Sequence, residues 1–201
     1  MMYLNEDDVK KFYKLLDHEN ETEIRVISPN GVVTNQFVNN EEEFISSCKT
    51  NNSINNLYAG INERKQRGTK DQDIVRLKLF FVDIDPARPT GTPSTDEQKA
   101  NAFKLAKEIE EWLKEKGFEH ITIADSGNGY HIYLVLEAIE ISDSNRETIK
   151  QKWEYFGKQI QEKFNNKHNC KIDSVFNFSR IAKIIGTEAI KGNVHKPSKF
   201  I

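Results

Sequence analysis

Two aspartates, Asp83 and Asp85, close the hydrophobic run Leu77-Lys78-Leu79-Phe80-Phe81-Val82 and are separated by Ile84 alone. On a strand, side chains alternate between faces, so both carboxylates project from the same side. Pro86 follows and ends the ladder, because it has no amide proton to donate. Carboxylates held side by side repel unless a cation sits between them. Oxygen ligands of this kind suit magnesium or manganese. The plainer alternative is a pair of solvated strand-end acids, since Asp is common where strands give way to turns.

A second segment could handle an anion. Ile121 to Asp125 reads as a strand, Ser126-Gly127-Asn128-Gly129 as a turn, and Tyr130 to Leu136 as the returning strand that carries His131. Glycines at 127 and 129 permit positive φ and close backbone approach, and successive amides in such a turn can form an anion-binding nest. The bland reading is a glycine-rich hairpin with a core-facing histidine. No helix follows, as a dinucleotide fingerprint would require. A third segment places Arg180 and Lys183 after Asp173, ahead of Gly186-Thr187. Arginine recognises phosphate with a planar fork and lysine with a point charge. Taken alone, that segment is an ordinary basic surface.

In this order the three segments resemble the archaeo-eukaryotic primase superfamily, most closely its primase-polymerase branch on plasmids, phages and mobile elements. The residues that carry the resemblance are Asp83-x-Asp85, Ser126-Gly-x-Gly-x-His131, and Asp173 followed by Asn177, Arg180, Lys183 and Gly186-Thr187. Leu57 to Arg64 is similar to the family's strand leading into an asparagine and an arginine. The likeness runs from about residue 57 to about residue 191. Related sequences often carry Arg and Pro where this chain has Lys183 and Ile185.

The resemblance implies an α+β fold, with an RRM-like, palm-type catalytic sheet flanked by helices and a small N-terminal α/β subdomain. It makes residues 1–201 one catalytic domain, with an N-terminal part at 1–55 and the RRM-like core at 56–201. It makes Asp83, Asp85 and Asp173 the catalytic, metal-holding acids of a two-metal Mg²⁺ or Mn²⁺ site. Ser126, Gly127, Asn128, Gly129, His131, Arg180 and Lys183 would bind the nucleotide. Asn62, Arg64 and Lys191 become candidates for template or nucleotide contact. The implied partners are a single-stranded or primed DNA template and a dNTP or NTP, with a helical accessory domain or helicase downstream.

The elements that must position these residues follow from pattern. A helix is expected from about Glu6 to Leu16, then a hairpin, Glu23 to Ile27 and Val32 to Val38, turned at Asn30-Gly31. Asn40 with Glu43 starts a short helix toward Cys48. Strands are expected near Asn56 to Ile61 and Val75 to Asp85, then a loop to Ser94 holding Pro86, Pro89, Pro93 and Gly91. Thr95 with Gln98 caps a helix to about Lys116, with Phe103, Leu105, Ile109 and Leu113 on its apolar face. Ser144 with Glu147 caps another helix to about Asn165, buried through Ile149, Trp153, Phe156 and Ile160. Ile181 to Ile185 is the clearest late strand. Helices and antiparallel-looking strands are mixed, independently suggesting α+β.

The chain of 201 residues can bury one good core or two small subdomains. Its charged fraction of 30% and lack of a long apolar run exclude a membrane-spanning helix. Cys48 and Cys170 are too few and too scattered for a zinc site or a disulfide framework, which suggests a reducing, cytoplasmic compartment. The net charge of −2 hides an asymmetry: residues 146–201 carry 12 Lys or Arg against 5 Asp or Glu, while residues 1–63 carry 5 against 11. A basic face, and not a basic protein, is what a polyanion needs.

The expected function is template-directed nucleotidyl transfer, as a DNA primase or DNA polymerase. A metal-dependent nuclease could also use paired acids, but it needs no triphosphate cradle. A haloacid-dehalogenase-type phosphatase wants Thr or Val two residues after the second Asp, where this chain has Ala87. A non-catalytic single-strand-binding module would stack bases on Phe80, Phe81 or Tyr133.

Overall fold

Several elements begin where the sequence supplies a cap. In the computed structural model, which describes residues 3–174 and 176–201, helix α1 (Glu6–Leu16) follows Asn5, whose Oδ1 accepts from the Asp8 amide at 3.2 Å. Helix α2 (Glu41–Asn51) is capped in the same way by Asn40, through the Glu43 amide at 2.9 Å. Helix α3 (Asp96–Glu115) has the full reciprocal box: the Gln98 amide donates to Thr95 Oγ1 at 3.2 Å and the Thr95 amide to Gln98 Oε1 at 2.9 Å.

Helix α4 (Arg146–Phe164) departs from expectation, because no box forms between Ser144 and Glu147. Asn145 lies at the helix start, where its side chain accepts from the Ser142 amide at 2.9 Å and donates to the Glu140 carbonyl at 2.8 Å. The Ser144 hydroxyl pairs with Ser142 Oγ at 2.9 Å. The turn into the helix therefore satisfies itself locally, and Ser144 is left outside the helix.

The strands are β1 (Thr22–Ile27), β2 (Val33–Val38), β3 (Asn56–Gly60), β4 (Glu63–Arg64), β5 (Ile74–Pro86) and β6 (Ile121–Asp125). They continue with β7 (Tyr130–Glu140), β8 (Cys170–Ile172), β9 (Ile181–Lys183), β10 (Glu188–Lys191), β11 (Val194–Pro197) and β12 (Lys199–Phe200). One antiparallel sheet has the order β2-β1-β3-β9. The larger runs β12-β6-β7-β5-β4, with β8 also paired to β5. Strands β10 and β11 form a separate hairpin. The sheet of the 22–38 hairpin thus reaches past residue 55, taking β3 and the late strand β9. Strand β9 is shorter than the Ile181–Ile185 expectation, since the chain turns away toward Gly186, whose φ is +97°.

The larger sheet is covered on both faces. Leu77, Phe80, Val82 and Ile84 pack with Leu105, Ile109 and Leu113 of α3 and Trp153 and Ile160 of α4. Leu79, Phe81 and Tyr133 pack the other way, against Val9 and Phe12 of α1, Phe44 of α2 and the smaller sheet. Each fully buried side chain of this size contributes roughly 1.5–3 kcal/mol. Phe80, Phe81 and Tyr133 are all within these cores, so none offers a face for stacking a base.

One detail of β5 decides what the acids face. Leu77 and Leu79 share a parity yet enter opposite cores, because the β5–β7 register shifts between them. Asn62 holds that irregularity: its Oδ1 accepts from the Lys78 and Leu79 amides at 3.0 and 3.1 Å, and its Nδ2 donates to the Leu79 carbonyl at 3.2 Å. A one-residue slip flips every later side chain to the other face. Beyond the bulge, Phe81, Asp83 and Asp85 therefore share the face turned toward the smaller sheet.

Candidate active site

Asp83 stands directly across from His131 on β7, and Asp85 across from Lys171 on β8. The Asp173 amide donates to the Asp83 carbonyl at 3.1 Å, continuing the β5–β8 pairing by one residue. Asp83 is thus flanked across the sheet by His131 on one side and Asp173 on the other. Residues directly opposite on neighbouring strands keep Cβ atoms about 4.5–5.5 Å apart. The end of β5 thus places the three predicted acids at neighbouring backbone positions.

Their surroundings differ. His131 Nε2 lies 3.5 Å from Asp83 Oδ1, while its Nδ1 pairs with the Tyr133 hydroxyl at 2.9 Å. Burial acts to raise the Asp83 pKa, but the hydrogen bond from His131 and the charges of Arg180 and Arg88 outweigh it and hold the carboxyl below its ordinary value. Asp85 goes the other way, pushed up by the protein mass around it and by Asp83, with Arg88 offsetting part of the rise. Its side chain still opens to the cleft, 53% exposed, so it stays reachable by a ligand. Neighbouring carboxylates whose pKa values are driven apart are what a shared cation would relieve.

Two arginines occupy the acids. Arg180 pairs with Asp173, and Arg88 Nη1 lies 3.1 Å from Asp85 Oδ1. The sequence assignment put Arg180 among the phosphate ligands; in this structure its guanidinium is held by an acid. Arg88 escaped sequence reasoning altogether. It sits in the Pro/Gly-rich loop, which has no periodicity to announce an inward side chain, and its Nε is pinned by the Thr92 carbonyl at 3.0 Å.

The glycine turn is built as expected, but its two glycine amides are not free. Gly127, at φ +94°, donates to Asp125 Oδ1 at 2.8 Å, and Gly129 donates to Ser126 Oγ at 3.2 Å. A nest made of these two glycine amides is therefore corrected: both serve the turn itself. Ser126 keeps a hydroxyl proton to donate, and Asn128 ties the turn to the loop by accepting from the Ser94 amide at 3.0 Å. Gly129 is needed for close approach, since a Cβ there would lie 2.2 Å from the Ile84 carbonyl. The turn thus presses against the strand that carries the acids.

Lys183 reaches the same cleft from β9 of the smaller sheet. Asn56, Tyr58, Asp83, Asp85, Arg88 and Ser126 line this 90 Å³ space together with Asn128, His131, Lys183, Ala189 and Lys191. The Lys183 ammonium is buried, has no hydrogen-bond partner among the described residues, and lies 5.7 Å from the Tyr58 ring centroid. Burial pulls its pKa down to about 7, with Cys48 and Glu188 opposing. Tyr58, a residue no sequence motif singles out, is the floor beneath it.

Asn62 and Arg64 do not reach the cleft. Asn62 is spent on the β5 bulge, and Arg64 is buried, paired with Glu23 and donating to the Ser179 carbonyl at 2.7 Å. Their assignment to template or nucleotide contact is corrected to support: Arg64 braces the loop leading to Arg180, where Asp71 also accepts from the Ser179 amide at 2.9 Å. Among the described residues, no three His, Cys, Asp or Glu side chains stand together as a preformed metal cluster.

The fold has solved counterparts. The primase-polymerase domain of cyanophage S-2L superposes with a TM-score of 0.60 at 14% identity, over 99% of this chain and 90% of that one. The catalytic domain of primase RepB′, in complex with initiator DNA, gives 0.59 at 12% identity over 97% and 82%. The polymerase domain of Mycobacterium tuberculosis ligase D, in complex with DNA, gives 0.57 at 10% identity over 98% and 81%. The chain has the primase-polymerase fold. No family model matches the sequence and no curated protein matches it. The mixed α+β architecture of the primase-polymerase fold is the one the sequence led us to expect, and among the described residues no helix is long and apolar enough to cross a membrane.

Proposed function

We propose that this chain is a template-directed nucleotidyltransferase, a DNA primase or DNA polymerase acting on single-stranded or primed DNA with dNTPs or NTPs. The observation that carries the reading is that Asp83 and Asp85 line one cleft with the buried Lys183, which has no hydrogen-bond partner among the described residues, while Asp173 lies beside Asp83 on the neighbouring chain segment. Carboxylates without partnering cations would repel a triphosphate; here Asp83 and Asp85 line the same space as Arg88, His131 and Lys183. The three aspartates are hard oxygen donors that fit Mg²⁺ or Mn²⁺, provided Arg88 and Arg180 release Asp85 and Asp173. Bound there, divalent ions would lower the pKa of the 3′-hydroxyl and stabilise charge on the attacking and leaving oxygens.

The chain's own residues do the rest. Ser126, His131, Lys183 and a released Arg180 hold the incoming triphosphate, with Asn128 fixing the turn. The 3′-hydroxyl gives up its proton to water, its oxygen bonds to the α-phosphorus, the bond from that phosphorus to the bridging oxygen of the β-phosphate breaks, and pyrophosphate departs. Nucleotide incorporation on a primed template, with Mg²⁺ and with Mn²⁺, tests the reading against a nuclease, which would shorten the primer, and a phosphatase, which would only hydrolyse the nucleotide. His131→Ala is expected to weaken nucleotide binding about 10- to 150-fold, the loss of one charge-assisted hydrogen bond. Equal loss of template affinity with nucleotide affinity intact would remove His131 from the cradle.

Template binding by this chain is expected to be weak and strongly salt-dependent, since the basic surplus is confined to residues 146–201. Each single-strand phosphate neutralised contributes a slope of about −0.7 in log affinity against log salt, so contact with roughly 3–5 phosphates gives about −2 to −3.5. Fluorescence anisotropy of a labelled oligonucleotide across a salt series reads the slope. A flat response with tight binding would mean that stacking dominates.

A further inference from the structure

Asn177 belongs to the motif that leads to Arg180, yet it does not line the cleft. Its segment alternates. Phe176 and Phe178 turn into the core, where Phe176 stacks on Phe80 with ring centroids 5.8 Å apart and Phe178 meets Trp153 edge-on at 5.9 Å. Asn177 and Ser179 turn instead to Asp71, in the short turn Asp71–Asp73 ahead of β5. Asp71 Oδ1 accepts from the Ser179 amide at 2.9 Å, from Ser179 Oγ at 2.5 Å and from Asn177 Nδ2 at 3.2 Å. Asn177 Nδ2 also donates to Ser179 Oγ at 2.8 Å. Burial acts to raise the Asp71 pKa, but these bonds and the charge of Lys150 outweigh it and hold the carboxyl below its ordinary value. Arg146 of α4 steadies the acid from behind, its Nη1 and Nη2 donating to the Asp71 and Ile74 carbonyls at 3.0 and 3.1 Å.

Ser179 is therefore gripped at both of its peptide groups, the amide by Asp71 and the carbonyl by Arg64 at 2.7 Å. Arg180 comes next. Its carbonyl accepts from the Ile61 amide at 3.1 Å, and its guanidinium pairs with Asp173. Apolar burial is non-directional, so Phe176 and Phe178 fix the depth of the segment. Hydrogen bonds, which weaken steeply off-axis, fix the direction in which the chain leaves them. We infer that Asp71 is a positioning residue for the incoming nucleotide: with Asn177 and Ser179 it fixes the backbone pivot from which the Arg180 side chain passes from Asp173 to the triphosphate. The inference rests on the nucleotidyl-transfer reading of the cleft. A donor stripped of its acceptor is costly to leave unpaired. Without Asp71 the Ser179 and Asn177 donors turn to other partners, and Arg180 keeps its charge but loses its aim. A displacement of about 1 Å is enough to cost up to about 10²-fold in such a site.

A double-mutant cycle on the full chain tests this, read by equilibrium dialysis of radiolabelled ATP or dATP with Mg²⁺. Asp71→Ala is expected to weaken nucleotide binding about tenfold, but by less than about twofold when Arg180 is already replaced by alanine, because the effect passes through that side chain. Asp71→Asn keeps Oδ1 as an acceptor for the Ser179 amide and should recover most of the affinity. Circular dichroism melts establish that each variant is folded at the assay temperature. Asn177→Ala removes one donor and leaves the acid; it runs the same cycle with a first step of about threefold if Asp71→Ala does not fold. Equal losses in both backgrounds, or no loss with Arg180 present, would make Asp71 a purely structural acid and overturn the inference. Arg180→Ala without effect on nucleotide affinity, where His131→Ala weakens it, also overturns the inference and leaves the nucleotidyl-transfer reading standing. No nucleotide bound by the native chain overturns both.

Discussion

Replacing Asp83 and Asp85 together with asparagine is expected to abolish nucleotide incorporation, by at least about 10³-fold. Charge stabilisation of several kcal/mol is what such a site supplies, and each 1.36 kcal/mol is tenfold in rate. The single variants should separate in stability even though both lose activity. Asp85 has a raised pKa, so its ionised form is disfavoured in the fold, and Asp85→Asn should leave metal-free stability level or higher at neutral pH. Asp83 has a lowered pKa, held down against burial by His131, Arg180 and Arg88. It contributes stability above its unfolded-state pKa, which is lost as pH falls through the folded one, so Asp83→Asn should lower the neutral-pH melting temperature. Incorporation assays with thermal melts in chelator check both halves. Retained incorporation in the double variant would sink the assignment.

Lys183→Met carries the second large effect. With its pKa pulled from 10.5 to about 7, Lys183 is half neutral near pH 7 when no nucleotide is bound. Cys48, Glu188 and Tyr58 surround it, and Asp83, Asp85, Arg88, His131 and Lys191 line the space it enters. A triphosphate supplies the missing partner and favours the charged form, so binding takes up a proton. Nucleotide affinity should therefore fall as pH rises from 7 toward 9, by up to about tenfold per unit, while Lys183→Met binds about 10- to 150-fold more weakly near pH 7 and shows a flatter profile.

Folding stability moves the opposite way. The unfolded chain holds the Lys183 proton up to its ordinary pKa of 10.5 and the folded chain releases it near 7, so ligand-free stability rises between these values. The slope approaches about 1.4 kcal/mol per pH unit. Cys48, raised by burial to about 12, stays protonated and silent across this window. Denaturant midpoints at pH 7 and pH 9 should differ in the native chain and converge in Lys183→Met. A parallel rise in both proteins would mean that Lys183 already has a partner.

Much of this was legible in the sequence because it is local. The caps at Asn40 and Thr95, the Asn30-Gly31 hairpin and the apolar stripe of α3 depend on residues within a few positions of one another, and they formed as read. The Ser144 cap failed for an equally local reason: Asn145 competes for the same turn. The Asp83-x-Asp85 spacing required a shared face, and the position of Gly129 required close approach. Arg88 was invisible because an aperiodic loop gives no sign of which side chain turns inward. The freedom of the glycine amides could not be known until Asp125 and Ser126 were seen to take them.

Period-two alternation, turn chemistry and the order of the motifs determined that acids, a glycine turn and a basic segment exist, and on what kind of element each sits. Which of the two faces of β5 carries the acids was decided by the bulge that Asn62 holds from 16 residues upstream of Lys78. The environment of Lys183 was decided by β9 crossing into the other sheet to lie beside β3. Both depend on contacts between distant segments, where a side chain's meaning comes from what packs against it. A sequence can specify a lysine or an asparagine; only the closed fold can strip one of its partners and spend the other on a strand.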